Sequence, residues 1–205
     1  MSIKVVVADD QAMIREALAA LLDMTETITV VGQAGDGQQL LDVLASLAAV
    51  DVAVVDIEMP VLDGLTTCAA IRRRFPQTKV LIVTTFGRPG YVRRALEAGA
   101  GGFIVKDASL SELSAAIQTV HEGGQVIDPA LAAATLKNGE SPLTPRETEV
   151  LALLYAGKPI GDISAELGLS RGTVRNYVSS AIDKTGTTSR GDAARVAAEN
   201  GWLEP

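Results

Sequence analysis

The sequence predicts an α/β region, a doubly wound parallel sheet of five strands over residues 1–122, followed by an all-α segment of four helices over residues 143–205. Two observations predict it. Short β-branched apolar runs alternate with helically spaced apolar residues five times over about 120 residues, the pattern of β-α units that place helices on both faces of a parallel sheet. After Leu143 no strand pattern occurs. Between the two regions, residues 123–142 change character. Gly123-Gly124, Asp128-Pro129, an Ala-rich stretch and Lys137-Asn138-Gly139-Glu140-Ser141-Pro142 read as a linker with a short helix inside it.

The elements follow in order. Residues 3–8 are a buried strand ending in Asp9-Asp10, and Ile14, Leu18, Leu21 and Leu22 give a helix. Residues 27–34 are β-rich, and Leu40, Leu41, Leu44 and Leu47 mark the second helix. Residues 51–60 form the central stretch. Val52, Val54 and Val55 suit a strand buried on both faces, and Pro60 cannot extend it. Asp56 therefore sits at the strand's carboxyl end, where open α/β sheets carry their ligand crevice. Taken alone, this segment is equally compatible with an aspartate capping a turn. A helix opening at Gly64 ends in Arg72-Arg73-Arg74, which suits a helix C-terminus. Strands over 79–84 and 103–106, a helix over 89–98, and a Ser109-capped helix reaching about His121 complete the region.

Composition narrows the function. Aliphatic residues must build the core, since hydrophobic content is 47% and aromatic content 3%. No apolar run is long enough to span a bilayer, and the N-terminus lacks a signal-peptide layout. A single cysteine, Cys68, leaves no internal disulfide and fits a reducing cytosol, so a cytoplasmic location is expected. A single histidine, His121, argues against a His-based metal site or triad. Residues 1–141 carry 11 Lys+Arg and 17 Asp+Glu, net −6, and residues 142–205 carry 7 and 8, net −1. Any nucleic-acid contact in the tail must rest on local patches.

The polar residues of chemical interest in the first region all fall at strand ends: Asp9 and Asp10, Asp56, Thr84 and Thr85, and Lys106. In a parallel sheet these ends share one edge. Three carboxylates there repel one another unless a cation intervenes, and an oxygen-rich site suits Mg2+. With Lys106 and a Thr84 hydroxyl, the group forms a trap for a phosphoryl group transferred to Asp56.

The ordered set Asp9-Asp10, Asp56, Thr84, Lys106 resembles the receiver domain of bacterial two-component response regulators over residues 3–121. The resemblance implies a flavodoxin-like fold with Asp56 as phospho-acceptor. It implies Mg2+ held by Asp9, Asp10, Asp56 and the backbone carbonyl of Glu58, and a switch pair of Thr84 and Phe103. Such a chain is not an enzyme with an external substrate; it assists only its own Mg2+-dependent phosphoryl transfer and dephosphorylation. The family commonly carries proline after the lysine, where this chain has Asp107. Glu58 and Phe86, each two residues beyond a reacting position, are expected to modulate phosphate lifetime.

In the tail, Thr144 caps a helix with Pro145 first and Glu147 third. Gly168 makes a tight turn and Ser170 caps the next helix, a helix-turn-helix layout. Leu143-Thr144-Pro145-Arg146-Glu147-Thr148-Glu149-Val150-Leu151 and Gly172-Thr173-Val174-Arg175-Asn176 resemble the NarL/LuxR-type DNA-binding domain. On that resemblance Arg175, Asn176 and Ser179 face bases, and Arg171, Thr173, Lys184 and Arg190 meet phosphates, while Val174, Val178 and Leu167 belong to the core. Thr85-Phe86-Gly87-Arg88-Pro89-Gly90-Tyr91 and Ala198-Glu199-Asn200-Gly201-Trp202 look like the branch that contains the membrane-lipid desaturase regulator. The combined resemblance implies a sensor histidine kinase, double-stranded promoter DNA and a second copy of the chain as partners, with RNA polymerase compatible as a further one and no membrane insertion. Ile14, Leu18, Leu113 and Ile117, on the first and fifth helices, are one candidate for the dimer face and equally suit the interior. A regulator that binds DNA without phosphorylation is the alternative.

Overall fold

The computed structural model describes residues 2–85, 89–128 and 141–203, and divides into two compact units. The first holds strands β1 (Ile3–Ala8), β2 (Ile28–Ala34), β3 (Val52–Val55), β4 (Lys79–Thr84), β5 (Gly102–Val105) and β6 (Val126–Ile127). Helices α1 (Ala12–Asp23), α2 (Gly37–Ser46), α3 (Gly64–Arg74), α4 (Pro89–Ala98) and α5 (Leu110–His121) separate them. All pairings are parallel, in the order β2-β1-β3-β4-β5-β6.

The sheet thus has six strands among the described residues, not the five expected. Val126 and Ile127 pair with Gly102 and Phe103 and prolong the edge beyond β5. Two residues behind Gly123-Gly124 are too short a run to show alternation, which is why the sequence reads as linker from 123 onward. The short helix expected within the linker lies outside the described residues.

Strand alternation sorts the core. Val5, Val7, Val52, Val54, Leu81 and Val83 turn to one face and pack with Leu22 of α1 and Leu113, Ile117 and Val120 of α5. The intervening residues Val6, Ala53, Val55, Ile82 and Phe103 are equally buried, as are Leu40, Leu41, Leu44, Leu65, Cys68 and Ile71 on α2 and α3. Burial on both faces is what makes the strands read as unbroken apolar runs. Leu113 is 4% exposed and Ile117 is wholly buried, so both belong to the interior, and Ile14 and Leu18 are half-buried.

The second unit comprises α6 (Pro145–Tyr155), α7 (Ile160–Glu166), α8 (Arg171–Thr185) and α9 (Arg190–Glu199). A capping box joins Thr144 and Glu147, and Ser170 and Ser189 cap α8 and α9. Gly168 takes φ +65° in the turn between α7 and α8, a conformation that favours glycine. Val150, Ile163, Val174 and Val178 form one small core between α6, α7 and α8. Leu151, Ala181, Ala193, Ala194 and Ala197 form another, with Trp202 packed against it. No helix among the described residues is long and apolar enough to cross a membrane.

Candidate functional site

The carboxyl edge of the sheet gathers the acids because three strands end there in register. Asp9 follows β1 and its N–H donates to the Ala34 carbonyl at the end of β2. Asp56 follows β3 and donates to the Ala8 carbonyl. Lys106 follows β5, and its N–H bonds the Thr84 carbonyl at the end of β4. Asp9, Asp56 and Thr84 are 1%, 4% and 2% exposed, whereas Asp10 is exposed. Each of Asp9, Asp10 and Asp56 offers a carboxylate oxygen within 4.8 Å of the others.

Lys106 Nζ lies 2.7 Å from Asp9 Oδ2 and 2.8 Å from Asp56 Oδ2. The remaining oxygens accept backbone bonds: Asp56 Oδ1 from the Ile57 N–H at 2.8 Å, and Asp9 Oδ1 from the Gln11 N–H at 2.9 Å. Burial pushes the Asp56 carboxyl above its ordinary range; the Lys106 hydrogen bond and charge pull it back, and the Asp9 charge adds to the rise. For Lys106, burial favours the neutral amine, but the two carboxylates win and hold the ammonium above its usual range. One ammonium thus stands against three carboxyl groups, a net negative cluster whose oxygens lie close enough together to share a cation.

The donor set fits a hard divalent ion. All candidate ligands are oxygens, as Mg2+ prefers. Among the described residues, the Ile57 and Pro60 carbonyls accept bonds from Gly64, Met59 and Leu62, while the Glu58 carbonyl accepts no backbone N–H. The Glu58 side chain is exposed. Gly64 is required by close approach, because a Cβ there would collide with the Asp56 carbonyl oxygen. Val61, in the same loop, is 83% exposed and holds φ +65°, a left-handed conformation that a β-branched residue rarely adopts.

Of the other expected residues, Phe103 is wholly buried in β5 opposite Ile82. The peptide bond after Lys106 is trans, so Asp107 leaves the backbone there ordinary. Phe86 lies outside the described residues.

In the helical unit, Arg171, Arg175, Asn176 and Ser179 are exposed on α8, while Val174 and Val178 of the same helix are buried. Leu167 is half-buried against that core. The face turned away from the core therefore carries the polar set. Arg190 is exposed at the start of α9. Thr173 is tied into the cap of α8, its hydroxyl 2.8 Å from Ser170 Oγ. Lys184 has a partner that the sequence did not suggest. Its Nζ lies 2.8 Å from Glu147 Oε2, and Glu147, 3% exposed, also accepts from Ser180 Oγ at 2.6 Å and the Thr144 N–H at 2.6 Å. Burial pushes the Glu147 carboxyl up, but the bonds from Lys184, Ser180 and Thr144 outweigh it and hold it at about 2.

Comparison with known proteins meets this geometry at both ends of the chain. The response regulator receiver domain matches residues 5–118, and the luxR family of bacterial regulatory proteins matches residues 141–197. The chain belongs to the NarL/LuxR family of response regulators. It is 43% identical over 201 residues to the Bacillus subtilis protein named "Uncharacterized transcriptional regulatory protein YvfU", covering 98% of this chain and 100% of that one. It is 39% identical over 202 residues to the transcriptional regulatory protein DesR of the same organism, with the same coverage. Among solved structures, the response regulator ChrA of a heme-sensing two-component system aligns at 32% identity, covering 97% of each chain, with a TM-score of 0.58. This response regulator is accordingly a transcriptional regulator with a receiver domain and a helix-turn-helix DNA-binding domain.

Proposed function

We propose that the regulator is switched by phosphorylation of Asp56 by a sensor histidine kinase, and that the phosphorylated form dimerises and binds promoter DNA. The observation that carries this reading is the Lys106 ammonium bridging the buried Asp9 and Asp56 carboxylates beside Asp10. An Asp56 oxygen attacks the phosphorus of a phosphohistidine. The P–N bond breaks with its electron pair leaving on the imidazole, and an O–P bond forms. Lys106, already placed on Asp56 Oδ2, compensates charge on the phosphoryl oxygens, and the backbone N–H of Ile57 holds the other oxygen in place. Mg2+, held by Asp9, Asp10, Asp56 and the Glu58 carbonyl, would supply further charge compensation there. Water later hydrolyses the acyl phosphate, and Glu58 borders its path. Thr84, at the same edge, and the buried Phe103 are the pair through which the phosphoryl group biases two conformations of the receiver.

Helix α1 supports the second copy. Met13, Ala17, Ala20, Leu21 and Met24 recur at helical spacing on its exposed side, with Met13 84% and Met24 79% exposed. This stripe, rather than Leu113 and Ile117, is the apolar face left for dimerisation. Pairing also compensates for the weak field of a nearly neutral DNA-binding unit, because two linked modules bind more tightly than one. Arg175, Asn176 and Ser179 read bases, and Arg171, Thr173 and Arg190 meet phosphates. Lys184 acts through Glu147, holding α8 against α6. RNA polymerase is then a further partner at the promoter.

Footprinting on genomic fragments with and without phosphorylation tests this function. Protection of paired half-sites that strengthens on phosphorylation is the expected result. Identical footprints in both states would instead identify a regulator that binds DNA independently of phosphate.

A further inference from the structure

Arg15 stands where a cation is disfavoured. It lies at the start of α1, near the positive end of the helix dipole, and the first turn of α1 holds no acidic residue. Gln11, the N-cap, makes no side-chain capping bond. Arg15 instead reaches back out of the helix, and its Nη1 donates to the Asp9 carbonyl oxygen at 2.6 Å. The same nitrogen lies 3.6 Å from the point where a Cβ on Gly35 would stand, so the guanidinium rests on the bare backbone of the turn between β2 and α2. Among the described residues no carboxylate lies within ion-pair distance of it.

Asp9 is consequently fixed at every polar atom. Its N–H bonds Ala34, its carboxylate bonds Gln11 and Lys106, and its carbonyl bonds Arg15. The bond from Arg15 is the one that holds the carbonyl of the peptide between Asp9 and Asp10, and a rotation of that peptide would swing the exposed Asp10 carboxylate relative to the buried Asp9 and Asp56.

We propose that Arg15 is a positioning residue that locks the Asp9-Asp10 segment in the geometry that takes a divalent cation. This rests on the reading of Asp9, Asp10 and Asp56 as a Mg2+ site. The anchoring role and the bare charge of Arg15 act in opposite directions. As an unpaired cation beside the acids, Arg15 repels Mg2+, so a role through charge alone would make its removal tighten binding. As an anchor, its removal loosens the ligand set and weakens binding, on the order of 10-fold, as loss of other groups that orient metal ligands does.

The experiment measures Mg2+ affinity of the full chain by calorimetric titration at constant ionic strength, for the wild type, Arg15→Met and Arg15→Lys. Amide hydrogen exchange at Gln11 is followed in the metal-free proteins. The expected result is weaker Mg2+ binding and faster Gln11 exchange in Arg15→Met. Arg15→Lys, which keeps a donor on a chain of similar reach, should recover most of both. Binding that is unchanged or tighter in Arg15→Met, or a lysine variant as impaired as the methionine one, overturns the assignment. If Arg15→Met does not fold, the lysine variant decides: near-wild-type affinity and exchange support the anchor, and a loss as large as 10-fold overturns it. A wild type that binds no Mg2+ refutes the metal reading instead, and Gln11 exchange still tests the anchor by itself.

Discussion

Replacing Glu147 with Gln isolates one buried charge in the DNA-binding unit. The side chain keeps its shape; its one amide oxygen can still accept from the Thr144 N–H while its NH2 donates to the Ser180 hydroxyl, so the loss is that of the negative charge facing Lys184. Glu147 falls from an ordinary 4.5 to about 2 on folding. That depression corresponds to roughly 3 kcal/mol of stability at neutral pH. The sign follows from the lowered value. The contribution is complete above the unfolded carboxyl's range near 4.5 and is lost as pH falls through about 2. The Lys184 side chain stays 34% exposed, so the variant leaves no buried, unpaired cation to add a second penalty. Urea denaturation followed by fluorescence of Trp202, the sole tryptophan, reads this unit selectively. We expect Glu147→Gln to lose about 2–3 kcal/mol at pH 7. The gap from the wild type should close between pH 4.5 and 2. A gap below about 0.5 kcal/mol at pH 7, the range of a bland surface change, would show that the Glu147 charge does not stabilise this unit. So would a gap that persists unchanged at pH 2.

Two further outcomes are expected. Arg175→Ala should weaken specific DNA binding by roughly 1–3 kcal/mol and relax preference at one base position, measured by competition at fixed salt; equal loss on every sequence would make Arg175 a phosphate contact. Val61→Gly should stabilise the receiver unit by about 1 kcal/mol in urea, because an exposed valine is held in a left-handed conformation that glycine accepts freely. A lower midpoint would show that Val61 makes contacts outweighing that strain.

Much of this molecule was legible in the chain because its information is local. Four of the first five strands, all but β2, are β-branched runs that end at a polar residue, and three of the four tail helices announce themselves by a capping serine or threonine. The acid site was legible for a related reason: strands in parallel share one edge, so the residue types at their ends suffice to bring Asp9, Asp56 and Lys106 together. What escaped depends on contacts distant in sequence or on runs too short to carry a period. Strand β6 consists of two residues and takes its register from β5. The pairing of Glu147 with Lys184 joins positions 37 residues apart, and only the burial of Glu147 reveals that the lysine is engaged. Helical spacing places Leu18 and Leu21 on neighbouring stripes, and nothing local says that Leu113 and Ile117 face inward while Met13 and Met24 face water. In the sequence Arg15 is one more charge on a helix, and only its bond to the Asp9 carbonyl, six residues back, sets it apart.

On the function proposed above, Asp56 is where the signal is written. Intact-protein mass spectrometry after incubation with acetyl phosphate measures it most directly. The wild type should gain one phosphoryl group in the presence of Mg2+ and none in EDTA, and Asp56→Ala should gain none under either condition. Full labelling of Asp56→Ala, or no labelling of a folded wild type with Mg2+ present, would contradict the account.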